Sequence, residues 1–263
     1  MAARNFLFAL DDDDVALTRF LETTARVTGF LKGAPGGPLP GWYVPGGDNA
    51  PFLRELYARL EATYPAAGQP FYAVRLLTNL FWQPAYLAVI GTHVHGALPQ
   101  LSSVSQQVKG IDVSGFRLPP EPQYTAPLDD LILRAGTDLR VFADALLAEI
   151  NAVTKLRRLP ALRLVTDRML GLVLRLRDYA PGITLEEQRR ICDLWLSAMD
   201  LVGKGDLETL VLADGRQVLI SARKGCCLDY LAFPDVYCST CPKQDDDLRL
   251  ARLRDEAQAE CDA

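Results

Sequence analysis

Apolar residues recur at helical spacing over most of the chain. Asp14 to Lys32 places Val15, Leu17, Phe20, Leu21, Ala25, Val27, Phe30 and Leu31 on a stripe, the period of a half-buried helix. Asp13 or Asp14 suits its N-terminus, where carboxylates meet unpaired amides and a positive dipole end. Gly33 to Asp48 reads as a glycine- and proline-rich loop carrying Trp42 and Tyr43. Pro51 opens a second helix through Tyr64, and Pro65 to Pro70 break it. Phe71 to Val94 is the most apolar stretch and predicts a buried helix bent at Pro84. Val108–Ile111 and Phe116–Leu118 suggest short strands, and Pro119 to Pro127 form a stiff connector.

Beyond the connector, Asp129 to Arg134 suggests a short helix and Asp138 to Val153 an amphipathic one. Lys155 to Tyr179 is helical in period, with Pro160 arguing against one uninterrupted helix. Thr184 and Glu187 have capping-box spacing, so a helix runs from there to about Val202 and ends at Gly203. The period then drops to two. Leu207–Ala213 and Gln217–Ala222 flank Asp214-Gly215 and predict a β-hairpin. Lys243 to Ala263 is a charged segment of helical composition. The fold class expected is α+β, mainly α-helical. The candidate divisions are 1–127, a helical region; 128–205, a helical region with a basic stretch; and 206–263, hairpin plus C-terminal cysteine region.

Composition narrows the function. The chain has 263 residues, 49% of them hydrophobic, and a net charge of −5. It can bury a substantial core, and its charge argues against general nucleic-acid binding. The short apolar run Phe6–Leu10 is followed at once by Asp11 to Asp14, unlike a secretory signal. The longest uncharged stretch, Leu76 to Val108, holds Asn79, Gln83, Pro84, His93 and His95, a poor membrane span. A cytoplasmic protein is expected, compatible with peripheral contact at the inner membrane. Against this acidic background, Lys155 to Tyr179 carries Lys155, Arg157, Arg158, Arg163, Arg168, Arg175 and Arg177. It is either a solvated face or a surface for an anionic ligand.

The cysteines carry the chemistry. Four of six lie within sixteen positions: Cys226, Cys227, Cys238 and Cys241, spaced C-C-x10-C-x2-C. That clustering differs from a secreted disulfide framework and suits metal ligation. Cys238 and Cys241 can turn two thiolates toward one point. The adjacent Cys226 and Cys227 would point to opposite faces of an extended segment, so a single zinc requires a contorted backbone. A binuclear cluster is wider and accepts the adjacent pair more easily. Gly225 is placed to supply an unusual backbone angle, and Pro242 to stiffen the exit. A structural zinc loop, a metal-free redox thiol pair and a 2Fe–2S cluster remain the three readings of this spacing.

The run Arg223-Lys224-Gly225-Cys226-Cys227-Leu228-x-Tyr230, then Pro234 and Cys238-Ser239-Thr240-Cys241-Pro242, resembles the C-terminal end of FhuF-like siderophore ferric reductases. The match covers about the last forty residues. The resemblance implies a 2Fe–2S cofactor with Cys226, Cys227, Cys238 and Cys241 as ligands. It implies one-electron reduction of siderophore-bound Fe(III) in the cytoplasm. The charged tail after Cys241 departs from the family's expected end. Arg223 and Lys224, next to the ligands, and Trp82, Tyr86 and Arg168 are the candidate substrate contacts. Gln83 is an alternative cleft residue beside Trp82. No G-x-G-x-x-G or Walker-type loop is present, so the electron is expected from an external ferredoxin or reductase.

Two other classes stay open. One is a non-catalytic binding module closed by a zinc loop. The other is an iron–sulfur electron carrier serving a protein acceptor. His93 and His95 form an H-x-H pair whose side chains diverge on a helix. Cys192 reads as a core thiol, and Cys261 as a free thiol.

Overall fold

The computed structural model describes residues 12–180, 182–234 and 236–262, with the side chains of 260–262 left aside. The apolar run before Asp12 and the side chain of Cys261 lie outside the described residues. The architecture is α+β and mainly helical. The seven α-helices described are α1 (Asp12–Val27), α2 (Ala50–Thr63), α3 (Gln69–Ile90), α4 (Leu128–Asn151), α5 (Arg158–Leu174), α6 (Leu185–Ala198) and α7 (Asp246–Asp262). Strands β1 (Gly33–Pro35), β2 (Ser105–Lys109) and β3 (Asp112–Leu118) form one sheet, and β4 (Asp206–Val211) pairs with β5 (Gln217–Ala222).

Helix α3 is the centre of the body. It is apolar on nearly every side because α1, α2, α4, α5 and β3 all pack on it. Its polar residues tie it to the small sheet. Asn79 Nδ2 donates to Ile111 O at 2.8 Å, and Trp82 Nε1 to Val113 O at 2.8 Å. Gln83 is fully buried; it donates to Gln106 Oε1 at 2.9 Å and accepts from Gly115 N at 3.0 Å. Gln83 therefore serves the helix–sheet joint, not a cleft: its amide is spent on a buried network that would be costly to leave unmade.

The expected loop after α1 contains a strand. Gly33–Pro35 pairs in parallel with Phe116–Leu118 on the edge of the β1–β3–β2 sheet. The segment is too short for alternation to reveal it. Beyond α3, Gly91–His95 adds a π-helical turn. His93 Nε2 there accepts from Trp195 Nε1 at 2.9 Å, while His95 Nε2 meets Gln123 Oε1 at 3.1 Å. The two imidazoles serve separate partners.

Three helix boundaries differ from expectation. Residues 128–151 form one helix instead of two. Gly136 continues it; a Cβ there would lie 2.5 Å from Ala198 Cβ, so the glycine admits α6 at close range. Helix α5 keeps Pro160 because the proline falls in the first turn, where its missing amide has no helical acceptor. Helix α6 starts at Thr184, whose hydroxyl accepts from Glu187 N at 3.1 Å. It stops at Ala198, short of Val202, because Asp200 takes a left-handed φ of 51° and Leu201 N turns back to Leu196 O at 2.8 Å.

One continuous apolar core contains residues from Leu17 to Leu219, on both sides of the proline connector. Cys192 is buried in it, and burial pushes its thiol pKa up to about 12. A second, small cluster joins the outer face of the β4–β5 hairpin to the tail: Leu210, Leu212, Val218 and Ile220 against Leu253 and Ala257. Asp245 Oδ1 caps α7 by accepting from Asp247 N and Leu248 N at 3.1 and 3.2 Å.

Candidate functional site

Strand β5 ends at Ala222 and delivers its last turn of chain onto α5. Asp167 of α5, with its side chain 3% exposed, receives that chain. Its carboxylate accepts from Gly225 N at 2.8 Å and Lys224 N at 3.4 Å, and faces Arg223 Nε at 3.4 Å. Gly225 does not have a left-handed φ. Its lack of a side chain is needed for contact instead: a Cβ would lie 2.8 Å from Asp167 Oδ2 and 3.0 Å from Leu164 N. The left-handed residue is Leu228, with φ 63°. That turn brings the amides of Leu228 and Asp229 back onto the sulfurs of Cys226 and Cys227.

Arg223 joins the two halves of the cysteine loop. Its Nη1 donates to Thr240 Oγ1 at 3.0 Å and approaches Cys238 Sγ at 3.6 Å, while Nη2 donates to Gly225 O at 3.3 Å. Burial opposes its charge, but Asp167, Cys238 and Cys227 outweigh it and raise its pKa. Asp167 in turn is raised by burial against the pull of Arg223. On the far side, Cys241 N donates to Cys238 O at 2.9 Å, closing the C-x-x-C turn. Gln244 Nε2 donates to Cys238 O at 2.7 Å and Ser239 O at 3.1 Å, and Arg252 of α7 holds Gln244. The charged tail thus braces the loop. Tyr230 and Tyr237 stack over the loop at 5.7 Å, with Lys243 Nζ 5.6 Å from the Tyr230 ring.

The thiols of Cys226, Cys227, Cys238 and Cys241 are all free. Hydrogen bonds from Cys226 and Cys238 converge on Cys227 and lower its pKa, and the same contacts raise the thiols of Cys226 and Cys238. Among the described residues no three His, Cys, Asp or Glu side chains are gathered to hold a single metal ion. The donor set nevertheless suits an iron–sulfur group. It has four free thiols in one loop, backbone amides and a guanidinium directed at sulfur, and Cys241 buried.

Cys227 and Cys238 line a cavity of about 490 Å³ between α3, α5 and the cysteine loop. Its walls carry Arg75, Trp82 and Tyr86 from α3, Arg168 from α5, Arg175 just past the end of α5, and Arg223. Four guanidinium groups therefore face two carboxylates, Asp167 and Asp229. Asp167 is committed to Arg223 and the loop amides, and Asp229 sits 3.7 Å from Arg75 Nη1. Burial first, and then the Cys227 charge, push Asp229 up to about 6. No carboxylate of the described residues forms an ion pair with Arg168 or Arg175. Arg168 is closely surrounded by protein yet open to the cavity; burial and the neighbouring Arg223, Arg175 and Arg75 lower its pKa. Such a surplus of cations attracts an anion.

Of the five candidate contacts, Trp82, Tyr86, Arg168 and Arg223 share this cavity. Lys224 does not line it. Next to Arg223 on extended chain its side chain points the other way, where Nζ pairs with Asp206. Arg75, Asp167 and Asp229 were missed as site residues, and Arg175 was read only as one member of the basic stretch. Arg175 had a legible signal: Leu164, Arg168, Gly171, Leu172 and Arg175 fall on one helical face. Gly171 is the least expected member. A Cβ there would meet nothing within 4 Å, so packing does not call for glycine. Its missing side chain leaves cavity space at some cost to the helix.

No protein-family model matches the chain, and no solved structure is significantly similar to it. Among the described residues no helix is long and apolar enough to cross a membrane.

Proposed function

We propose that the protein is a siderophore ferric reductase. It takes single electrons from an external ferredoxin or reductase and delivers them to an Fe(III) chelate docked in the arginine-lined cavity. The observation that carries this reading is the shared wall: two of the four clustered cysteines line the same cavity as four arginines and three aromatic rings, those of Phe81, Trp82 and Tyr86. A 2Fe–2S group held by Cys226, Cys227, Cys238 and Cys241 would supply one-electron transfer at that wall.

The chain's own residues bind and tune. Arg75, Arg168 and Arg175 present planar, permanently charged donors to the anionic oxygens of a chelate. Trp82 and Tyr86 give it a flat apolar wall. Arg223 lies between the sulfur of Cys238 and the cavity, so it favours added negative charge on the cysteine side and attracts an anion on the other. The overall step is Fe(III)–chelate plus one electron giving Fe(II) and free chelator. Fe(II), with less charge density, binds hard anionic oxygens far less tightly. No bond in the chelator breaks, and no base or nucleophile is required. We place this reaction in the cytoplasm.

The test is an anaerobic visible spectrum, EPR after dithionite reduction, then turnover with ferric siderophores and a ferrous indicator. Red-brown protein with a spin-half signal and siderophore turnover is the expected result. Colourless protein with stoichiometric zinc would establish a zinc-closed binding module. A 2Fe–2S protein that passes electrons only to other proteins would be a carrier.

A further inference from the structure

A second chamber adjoins the arginine cavity. It has a volume of about 200 Å³ and shares Tyr86, Leu172 and Arg175 with the first. Its lining changes character. Val27 and Phe30 form one side, Val89, Ile90 and Leu176 the other, with Tyr179 at the rim. The polar groups there are few and largely engaged: Tyr179 Oη donates to Val27 O at 2.7 Å, and Asp178 pairs with Arg177 at 3.8 Å. Tyr179 therefore presents its ring, not its hydroxyl.

Three aromatic rings mark the passage between the chambers. Phe30 lies 5.6 Å from Tyr86 and 5.8 Å from Trp82, and Trp82 lies 5.7 Å from Tyr86. Phe30 is 53% exposed and Tyr179 47% exposed. Two large apolar side chains left open beside one small apolar hollow indicate a binding surface. The size bounds the occupant. An apolar protein cavity of about 150 Å³ stays dry and takes up benzene, so this chamber accepts one ring or a short alkyl chain.

We propose that the second chamber receives an apolar arm of the same ligand, making the substrate amphiphilic: an anionic oxygen-donor chelate at the arginines, with a short alkyl or aryl appendage beyond Tyr86. The identity of the head group rests on the reductase reading; the seat for the arm rests on the continuity and contrast of the two chambers. Specificity is then divided. The arginines select charge, and the chamber selects among chelates of equal charge by the size of their apolar appendage.

The experiment uses full-length protein and gallium(III) catecholate complexes, which bind like ferric ones but take no electron. Complexes bearing no alkyl arm, a propyl arm and a hexyl arm are compared by calorimetry. Affinity is expected to rise about fourfold per methylene until the chamber is full. Gly29 lines the chamber, and a Cβ there meets nothing within 4 Å, so Gly29→Phe enters the open space without a clash at its Cβ. That variant is expected to flatten the series. A series already flat in the wild type, or a steep one untouched by Gly29→Phe, overturns the chamber proposal and leaves the reductase reading standing. If no gallium complex of any length binds, the chamber proposal falls, while the visible spectrum, EPR and ferric-siderophore turnover decide the reductase reading separately.

Discussion

The helical body and the C-terminal cysteine region are held by different forces. Around α3, dozens of buried apolar side chains form one continuous core, and stability is spread over many contacts. The hairpin and tail bury a separate cluster of six residues, while Leu219 of β5 joins the main core. The loop itself packs Leu228, Leu231 and Ala232 against the main core and Phe233 against Tyr64, and is otherwise held by a handful of polar contacts: Asp167 to Gly225 N, Arg223 to Thr240, and Gln244 to two carbonyls. A region with so small a core of its own depends more on each polar contact than the body does. The body is a rigid wall; the loop is a site whose order depends on a few groups being present.

The sharpest way to break this contrast is Asp167→Ala. It leaves Arg223 buried without its carboxylate and two loop amides unpaired, a change worth about 3–5 kcal/mol. Hydrogen exchange should rise across 223–242, and Cys226 and Cys238 should become reactive, while α3 and α4 stay protected. Equal loss of protection in α3 would show that the two regions are one cooperative unit.

Leu80→Ala is the counterpart in the body. Leu80 is fully buried, and its truncation should cost about 2–5 kcal/mol. The loss should appear as a lowered urea midpoint for the whole body. A variant that loosens only the cysteine loop would contradict the assignment of Leu80 to the shared core.

Acid addresses the body through His93. Burial lowers its pKa to about 4, and its Nε2 must stay unprotonated to accept from Trp195. The unfolded chain, with an ordinary histidine, binds a proton at higher pH than the fold does. Stability is therefore complete above about pH 6.5 and falls as the pH drops toward 4, by about 3 kcal/mol in all. Urea titrations at pH 7, 5 and 4 measure it, and His93→Gln should flatten that portion of the curve.

Two smaller effects fall on the cavity between the regions. Arg168→Ala should weaken binding of an anionic chelate by about 1.5–3 kcal/mol, roughly tenfold to a hundredfold, with an unchanged thermal midpoint. A fall in the midpoint with unchanged affinity would make Arg168 a structural residue. Gly171→Ala should stabilise the body by about 0.5–1 kcal/mol. Gly171→Leu should fill cavity space and reduce chelate binding, and undiminished binding would remove Gly171 from the cavity's design.

Helices with strong periodicity were legible from the chain, as were the Thr184 cap and the hairpin at Asp214-Gly215, because these are set within a few residues. The joined helix 128–151 was not: the expected helices stop at Arg134 and resume at Asp138, and Gly136 between them lies against Ala198 of α6. The basic stretch gave a surplus of charge but not its direction; only the packing of α5 on α3 and β5 shows that Arg168 and Arg175 face the cavity.

The sequence by itself determined the mainly helical class and the clustering of the four cysteines, and it offered Trp82, Tyr86, Arg168, Arg223 and Lys224 as candidate substrate contacts. Only the tertiary structure decided that the first four of these share one cavity with Cys227 and Cys238, that Gln83 and Lys224 do not, and that Asp167 holds the loop. The physical reason is range. Caps, turns and periodicity act over three or four positions, whereas Asp167 and Gly225 are separated by 58 residues and meet only because the core has already set α5 beneath the strand that ends there.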